Sequence, residues 1–197
     1  MTKEYLQAVD LTKAYRLFNL GATCLVSAAH DGKVGVMPAT WNCPLDVYPF
    51  RATVVIDKSH FTRPLMDNSE YFALQLPSVG IARETLFLGT NSQCDMPDKL
   101  VRSGARFFNI EGFSMPFVDG CVAWAVFKKL PEVAMTKTYD LFMGECVAAF
   151  ADSRIYVNNH WEFENADASL RTFHYVAGGH YLAIGESFDL KEFDGLA

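Results

Sequence analysis

The sequence lacks most of the patterns that announce a particular chemistry. Its five cysteines, Cys24, Cys43, Cys94, Cys121 and Cys146, are odd in number and show no Cys-x-x-Cys spacing, so paired thiolates for a metal are unsupported. The five histidines are scattered; His174 and His180 flank a Gly-Gly break and have no acidic partner at metal-ligand spacing. No G-x-G-x-x-G follows a β-prone run and no G-x-x-x-x-G-K-[ST] occurs, which argues against Rossmann and P-loop nucleotide sites. G-x-S-x-G and H-E-x-x-H are also missing, so hydrolysis by protein groups alone has no supporting constellation. Positive charge is in short supply: 17 Lys and Arg against 23 Asp and Glu leave a net charge of −6, unsuited to a nucleic-acid or anionic-membrane surface. No run approaches the roughly 18 consecutive apolar residues of a membrane span. The first eighteen residues carry charges throughout and lack a signal-peptide core, so the cytoplasm is the expected location. Redox chemistry, if present, has to come from a bound cofactor.

What is present describes a folded chain. Its 197 residues suit one domain over 1–197, and 50% hydrophobic residues with sixteen Phe are enough for a sizeable core. Cys24, Cys121 and Cys146 lie in apolar runs and read as small buried hydrophobes, whereas Cys43 and Cys94 fall in polar loops where thiol chemistry is conceivable.

In chain order, residues 3–18 read as a helix with a loose apolar face. Two β-prone runs then flank His30-Asp31-Gly32, a strong hairpin signal because glycine accepts the positive φ of a tight turn. Pro38 cannot donate to a ladder, which places the second run on an edge. RATVVID and YFALQLP read as further strands, and VGIARETLFLG as a helix ended by Gly89. Asp95 is expected to cap a short helix with Pro97 in its first turn and Gly104 past its end. Residues 120–133 and 140–155 are long strand candidates. WEFENADASLRTFHYVAGG reads as a helix entered near Asp167 and stopped at Gly178-Gly179, with a short strand and tail after it. The fold class is mainly β with inserted helices, a barrel or curved sheet, with 3–18 and 161–197 as decorations.

The stretch from Val36 to Thr62 concentrates the ligand-binding signals. VGVMPATW and RATVVID are joined by a loop with two prolines, and each ends in small or polar residues: Pro38, Ala39, Thr40, Trp41 and Asn42 on one side, Asp57 to Thr62 on the other. Thr62 as N-cap, with Pro64 in the first turn, would open a helix whose free N–H groups, together with Lys58 and Ser59, suit a phosphate. A plain capped strand-to-helix turn fits the same pattern.

The run GKVGVMPATWNCPLDVYPFRATVVIDKSHFT resembles the signature segment of the flavin reductase-like, FMN-binding split-barrel family, which includes flavoredoxin. SQCDMPDKL and DLFMGECVAAFAD resemble its Ser-rich loop with an Asp-Lys pair and its late Gly-Glu strand, in the expected order. The resemblance implies a six-stranded Greek-key split barrel, a homodimer, and FMN near the dimer interface. Carried over by position, Pro38, Ala39, Thr40, Trp41 and Asn42 would line the ring and ribityl chain. Lys58, Ser59, His60 and Thr62, with Asp57 beside them, would hold the phosphate end, and Asn91, Ser92, Cys94 and Lys99 would close the site. The implied activity is NAD(P)H-dependent flavin reduction, with hydride passing to flavin N5. Many reductases of this family have an Asp-His pair just before the late strand. Here Thr138-Tyr139-Asp140 puts Tyr139 in the place of that His. The departure motivates an alternative, a flavoredoxin-like electron carrier serving a redox partner protein without using NAD(P)H. A further alternative is a non-catalytic split-barrel dimer.

Overall fold

The computed structural model describes residues 21–131 and 133–188, so the helix expected over 3–18 and the last residues of the tail lie outside the described part. The chain is mainly β with short inserted helices. Seven strands form one antiparallel sheet: β1 (Cys24–His30), β2 (Lys33–Ala39), β3 (Asn42–Val47), β4 (Phe50–Val55), β5 (Tyr71–Pro77), β8 (Cys121–Lys129) and β9 (Leu141–Ala151). Their order is β2-β1-β5-β8-β9-β4-β3. Four two-residue strands, β6 (Phe107–Phe108) with β7 (Phe117–Val118) and β10 (Tyr156–Val157) with β11 (His160–Trp161), make small hairpins. A longer hairpin, β12 (Phe173–Ala177) with β13 (His180–Ala183), lies near the C-terminus.

Strand order and connectivity together require the sheet to curl. β2 and β3 are its two edges, yet only Thr40 and Trp41 separate them in sequence. In a flat sheet seven strands wide the edges would stand about 29 Å apart. The chain from Ala39 to Asn42 spans at most about 11 Å. The edges are therefore brought round to meet at Thr40-Trp41. There the Asn42 side chain donates to the Ala39 carbonyl at 3.3 Å and to the Ala22 carbonyl at 2.9 Å, clamping the seam without a ladder.

The interior results from period-two alternation. On β1, Cys24, Val26 and Ala28 face the barrel core with Val54, Ile56, Phe72, Phe127 and Phe142, while Leu25 faces outward to Val36 and Leu88. Phe72 and Phe127 stack at 5.5 Å between centroids. Gly144 lies against both, where an added Cβ would come within 2.6 Å of Phe127 Cβ, so no other residue fits there without displacing the core. Buried Gln75 is fully engaged, donating to Ser27 Oγ (2.9 Å) and accepting from Val118 N (2.7 Å), as a core amide must be.

The Asp31-Gly32 hairpin forms as expected, with both residues at positive φ (48° and 72°), and Pro38 lies on an edge strand. Other expectations are corrected. The two-proline loop is largely strand β3, paired back on β4. This raises the sheet to seven strands, one more than the resemblance implies. Helix α1 (Thr62–Asn68) starts with Phe61 at the cap position and no side-chain cap, so Thr62 is the first helical residue and is buried. Gly89 lies inside α2 (Ala82–Thr90), and Asp98, not Asp95, precedes α3 (Lys99–Arg102). Helix α4 (Val133–Tyr139) joins β8 to β9, a connection the apolar runs on either side concealed.

The largest departure is the helix expected over 161–179. Asp167 does accept from Ser169 N at 2.8 Å, but it caps only a single 3₁₀ turn, Ala168–Leu170. Thr172, Phe173, Tyr175 and Val176 then favour strand over helix. Gly178 and Gly179, at φ 59° and 84°, form a two-residue hairpin turn and not a helix stop. No helix among the described residues is long and apolar enough to cross a membrane.

Candidate functional site

Of the expected phosphate grip at the end of β4, His60 and Thr62 line a cavity, whereas Asp57, Lys58 and Ser59 do not. Asp57 accepts from Ser59 N at 2.8 Å, closing a tight turn, and hydrogen bonds from the Ser59 side chain and then its backbone hold the Asp57 carboxyl below its ordinary range. Lys58 turns the other way, donating to the Lys137 carbonyl at 3.0 Å and standing 3.6 Å from Asp140 Oδ1. Asp140 is positioned for this by its left-handed backbone, φ 57°, at the end of α4. Its main partner is Arg63, whose Nη1 donates to Asp140 Oδ1 at 2.6 Å. The Arg63 backbone N–H is also used, donating to the His60 carbonyl at 3.0 Å.

A cavity of about 400 Å³ lies beside this turn, within the size range of small-molecule sites. One wall runs from Met37 to Thr40, the end of edge strand β2 and the start of the seam; another is the turn His60–Thr62. Helix α2 supplies Thr85, Leu86 and Gly89, and the loop after it supplies Asn91, Ser92, Gln93 and Asp95. Gly89 allows α2 to approach β2 closely, since a Cβ there would be 2.7 Å from Pro38 Cγ. Lys99 of α3 and Tyr175 and Tyr181 of the C-terminal hairpin complete the lining, with Thr23 before β1.

Of the residues singled out from the sequence, Pro38, Ala39, Thr40, His60, Thr62, Asn91, Ser92 and Lys99 are therefore brought together. Trp41, Asn42, Asp57, Lys58, Ser59 and Cys94 are not among the lining residues. Trp41 points outward, half exposed, with its carbonyl accepting from Val55 N at 3.0 Å, and Asn42 is used at the barrel seam. Cys94 and Cys43 are exposed, whereas burial pushes the Cys24 thiol up to about 12 and the Cys121 thiol up as well, leaving both inert. No group of three His, Cys, Asp or Glu side chains among the described residues is placed to hold a metal.

Lys99 dominates the electrostatics. It is only 4% exposed and its ammonium has no ion-pair or hydrogen-bond partner among the described residues; desolvation alone lowers its pKa from 10.5 to about 8. Three buried oxygens on the same lining, Thr23 Oγ1, Thr85 Oγ1 and Gln93 Oε1, also lack partners. Proteins rarely leave such groups unmade, and their concentration on one cavity marks a place for polar atoms of a ligand.

The cavity lies beside the end of β2 that carries Met37, Pro38 and Ala39. At the turn end of that strand, the Gln93 amide donates to the Val34 carbonyl at 3.1 Å, and the loop continues from there to Lys99. At the other end Ala39 pairs with Cys24, next to Thr23, whose N–H donates to the Phe173 carbonyl at 3.2 Å, where the hairpin begins. From Val34 to Ala39 the strand covers about 17 Å.

Sequence reading placed Thr90 and Gln93 in a polar run suited to a ligand or to solvent, and missed Thr23, Met37, Phe61, Thr85, Leu86, Leu88, Gly89, Asp95 and the two tyrosines. Only the tyrosines carried a usable signal: Gly-Gly between two β-prone runs reads equally as a hairpin turn.

The fold and cavity define a curled antiparallel barrel protein with a ligand cleft beside its seam strand. The chain belongs to the flavin reductase-like family: the model of the flavin reductase like domain matches residues 16–164. It is similar to the FMN-binding domain of a flavin reductases-like enzyme from Shewanella baltica OS155, with 43% identity over 93% of this chain and 96% of that one and a TM-score of 0.84. Escherichia coli (strain K12) YddH is 32% identical over 181 residues, 90% of this chain and 94% of that protein. The flavoredoxin from Methanosarcina acetivorans, at 17% identity, shares the fold over 99% of this chain and all of its own, with a TM-score of 0.75.

Proposed function

We propose that the chain binds FMN in the β2 cavity and acts as an oxidoreductase that draws its electrons from NAD(P)H. The observation that carries the FMN reading is Lys99: a buried ammonium on the cavity lining, with no partner among the described residues, is met by an anionic group such as a phosphate. The orphaned Thr23, Thr85 and Gln93 oxygens fit a ligand with several polar atoms between its ends, as a ribityl chain has. FMN, when bound, supplies the redox chemistry that the chain's own side chains lack. The residues here hold and orient. Lys99, with Ser92 and Thr62, neutralises and hydrogen-bonds the anionic end, Met37, Pro38 and Leu86 exclude water along the middle, and Ala39 and Thr40 meet the ring end. The similarity to the Shewanella baltica protein, an FMN-binding domain, supports the same reading.

Anaerobic mixing with NADH and with NADPH tests the donor, and bleaching of the bound flavin by one of them is expected. If dithionite bleaches the flavin and neither nucleotide does, the reductase reading fails. A flavoredoxin-like carrier serving a protein partner then takes its place. Tyr139 favours that second reading, because it is 64% exposed, ends α4 and does not line the cavity. Colourless protein whose melting temperature is unmoved by excess FMN would overturn both.

A homodimer is part of the proposal. The β3–β4 hairpin carries Leu45, Val47 (91% exposed) and Tyr48 (93% exposed), with Trp41 just before it, on an edge strand. Exposed apolar groups on an unpaired edge mark an association surface. Light scattering is expected to give a dimer for the wild type and a monomer for Val47→Glu/Tyr48→Glu. A monomeric wild type would end this part of the proposal.

A further inference from the structure

The hairpin Phe173–Ala177/His180–Ala183 lies beyond residues 16–164, the part matched by the family model, yet it supplies two aromatic side chains to the cavity. It is firmly seated. The Ile184 N–H donates to the Thr172 carbonyl at 3.0 Å, closing its base, and Phe173 is buried with Tyr181 edge-on to it at 4.9 Å. At the tip, an added Cβ on Gly179 would reach Leu86 Cδ2 at 3.4 Å, so the turn rests on α2. Tyr175 and Tyr181 stand 5.2 Å apart, and the Gly178 N–H donates to the Tyr175 hydroxyl at 3.0 Å, fixing that ring. The Tyr181 hydroxyl makes no hydrogen bond among the described residues, so its ring is placed by packing alone.

We propose that Tyr175 and Tyr181 form the ring-side wall of the site, with Tyr181 packing against the conjugated ring of the flavin. The inference rests on the FMN reading and adds to it the direction in which the ligand lies, phosphate toward Lys99 and ring toward the hairpin. Two half-buried aromatic side chains on the cavity lining suit a flat heterocycle, which gains both apolar burial and ring–ring attraction there.

The test compares wild type with Tyr181→Phe, Tyr181→Leu and Tyr175→Leu, titrating FMN and riboflavin and recording the emission of the bound flavin. A phenol in contact with a flavin quenches its emission by electron donation, and a phenyl ring does so far less. Tyr181→Phe is therefore expected to keep affinity but brighten the bound flavin. The leucine variants are expected to bind both flavins about threefold to tenfold more weakly, because the lost contact is with the ring both share. Equal loss for FMN and riboflavin separates this wall from the cation end. Wild-type affinity and wild-type emission in all three variants would overturn the inference while leaving FMN binding intact. A wild type that binds neither flavin would overturn the FMN reading first and this inference with it. Should a leucine variant fail to fold, Tyr181→Phe still decides the matter, since it removes one exchangeable hydroxyl and no packing.

Discussion

Changing Lys99 to methionine is expected to weaken FMN roughly tenfold to a hundredfold, the equivalent of one charge-assisted hydrogen bond, and to leave riboflavin binding nearly unchanged. The same change is expected to stabilise the flavin-free protein. Holding an unpaired ammonium away from water lowers its pKa from 10.5 to about 8. That corresponds to roughly 3 kcal/mol against the folded state at neutral pH. Methionine fills similar space without the charge, so the flavin-free variant should melt several degrees higher. The pH dependence has a definite sign. Between about pH 8 and 10.5 the unfolded chain keeps the Lys99 proton and the folded chain has released it. The folded state therefore gains stability as pH rises through that window, and below about pH 8 the penalty is fully present. FMN binding runs the other way: the phosphate needs the ammonium, so affinity should decline above about pH 8 in the wild type and stay flat in the variant. Asp95 and His60 are the other ionisable groups on this cavity, apart from the two tyrosines, and are unchanged by the substitution. Equal losses for FMN and riboflavin, or a variant less stable than wild type, would show that Lys99 does not face the phosphate.

The second large effect is on folding. Arg63→Leu in flavin-free protein is expected to cost about 3–5 kcal/mol, lowering the melting temperature by about 6–20 °C for a chain of this size. Arg63 is 6% exposed and ties together several segments. It donates to the Ile56 carbonyl (2.9 Å), Asp67 Oδ2 (3.0 Å), Asp140 Oδ1 (2.6 Å) and the Thr136 carbonyl (3.3 Å), and lies 5.0 Å from the centre of the Phe142 ring. Truncation leaves the Asp140 carboxylate, 19% exposed, with only Lys58 at 3.6 Å, and strips the Ile56 carbonyl of its donor, while the Thr136 carbonyl keeps the Asp140 N–H at 3.1 Å. Much of the loss should return in Arg63→Leu/Asp140→Leu, because an unpaired buried charge costs more than a missing pair. A single-variant loss below about 1 kcal/mol would mean the network carries no more than an exposed ion pair does.

These two cations explain how far the sequence could be read. Hairpin and strand signals were legible wherever local chemistry decided: Asp31-Gly32 takes the positive φ its turn needs, and Pro38 lies on an edge because it cannot donate. Two of the three stretches that carry the family resemblance also reach the cavity, the first through Pro38 to Thr40 and through His60 and Thr62, the second through Ser92 to Lys99. What sequence order cannot tell is where a side chain points. Lys58 reads as the phosphate cation because it comes just after β4, but Asp140, far along the chain, turns it away. Lys99 reads as secondary and is the lysine left buried without a partner among the described residues. Gly178-Gly179 stops a helix or turns a hairpin with equal ease, and only the flanking β-branched and aromatic residues tip the balance.

The seating of the C-terminal hairpin bears on how such a site can diversify. It meets the neighbouring chain through the isolated bridges Ala22–His174 and Ser78–Thr172, while the seven strands that close the barrel are complete by Ala151. Residues 172–183 thus form a hairpin seated on the closed sheet and not one of its strands. Swaps of side chain or turn length there would reshape what the cleft admits and leave the closed sheet untouched. Proteins sharing this barrel could therefore differ in the molecules they accept chiefly through a segment that contributes little to holding the barrel shut.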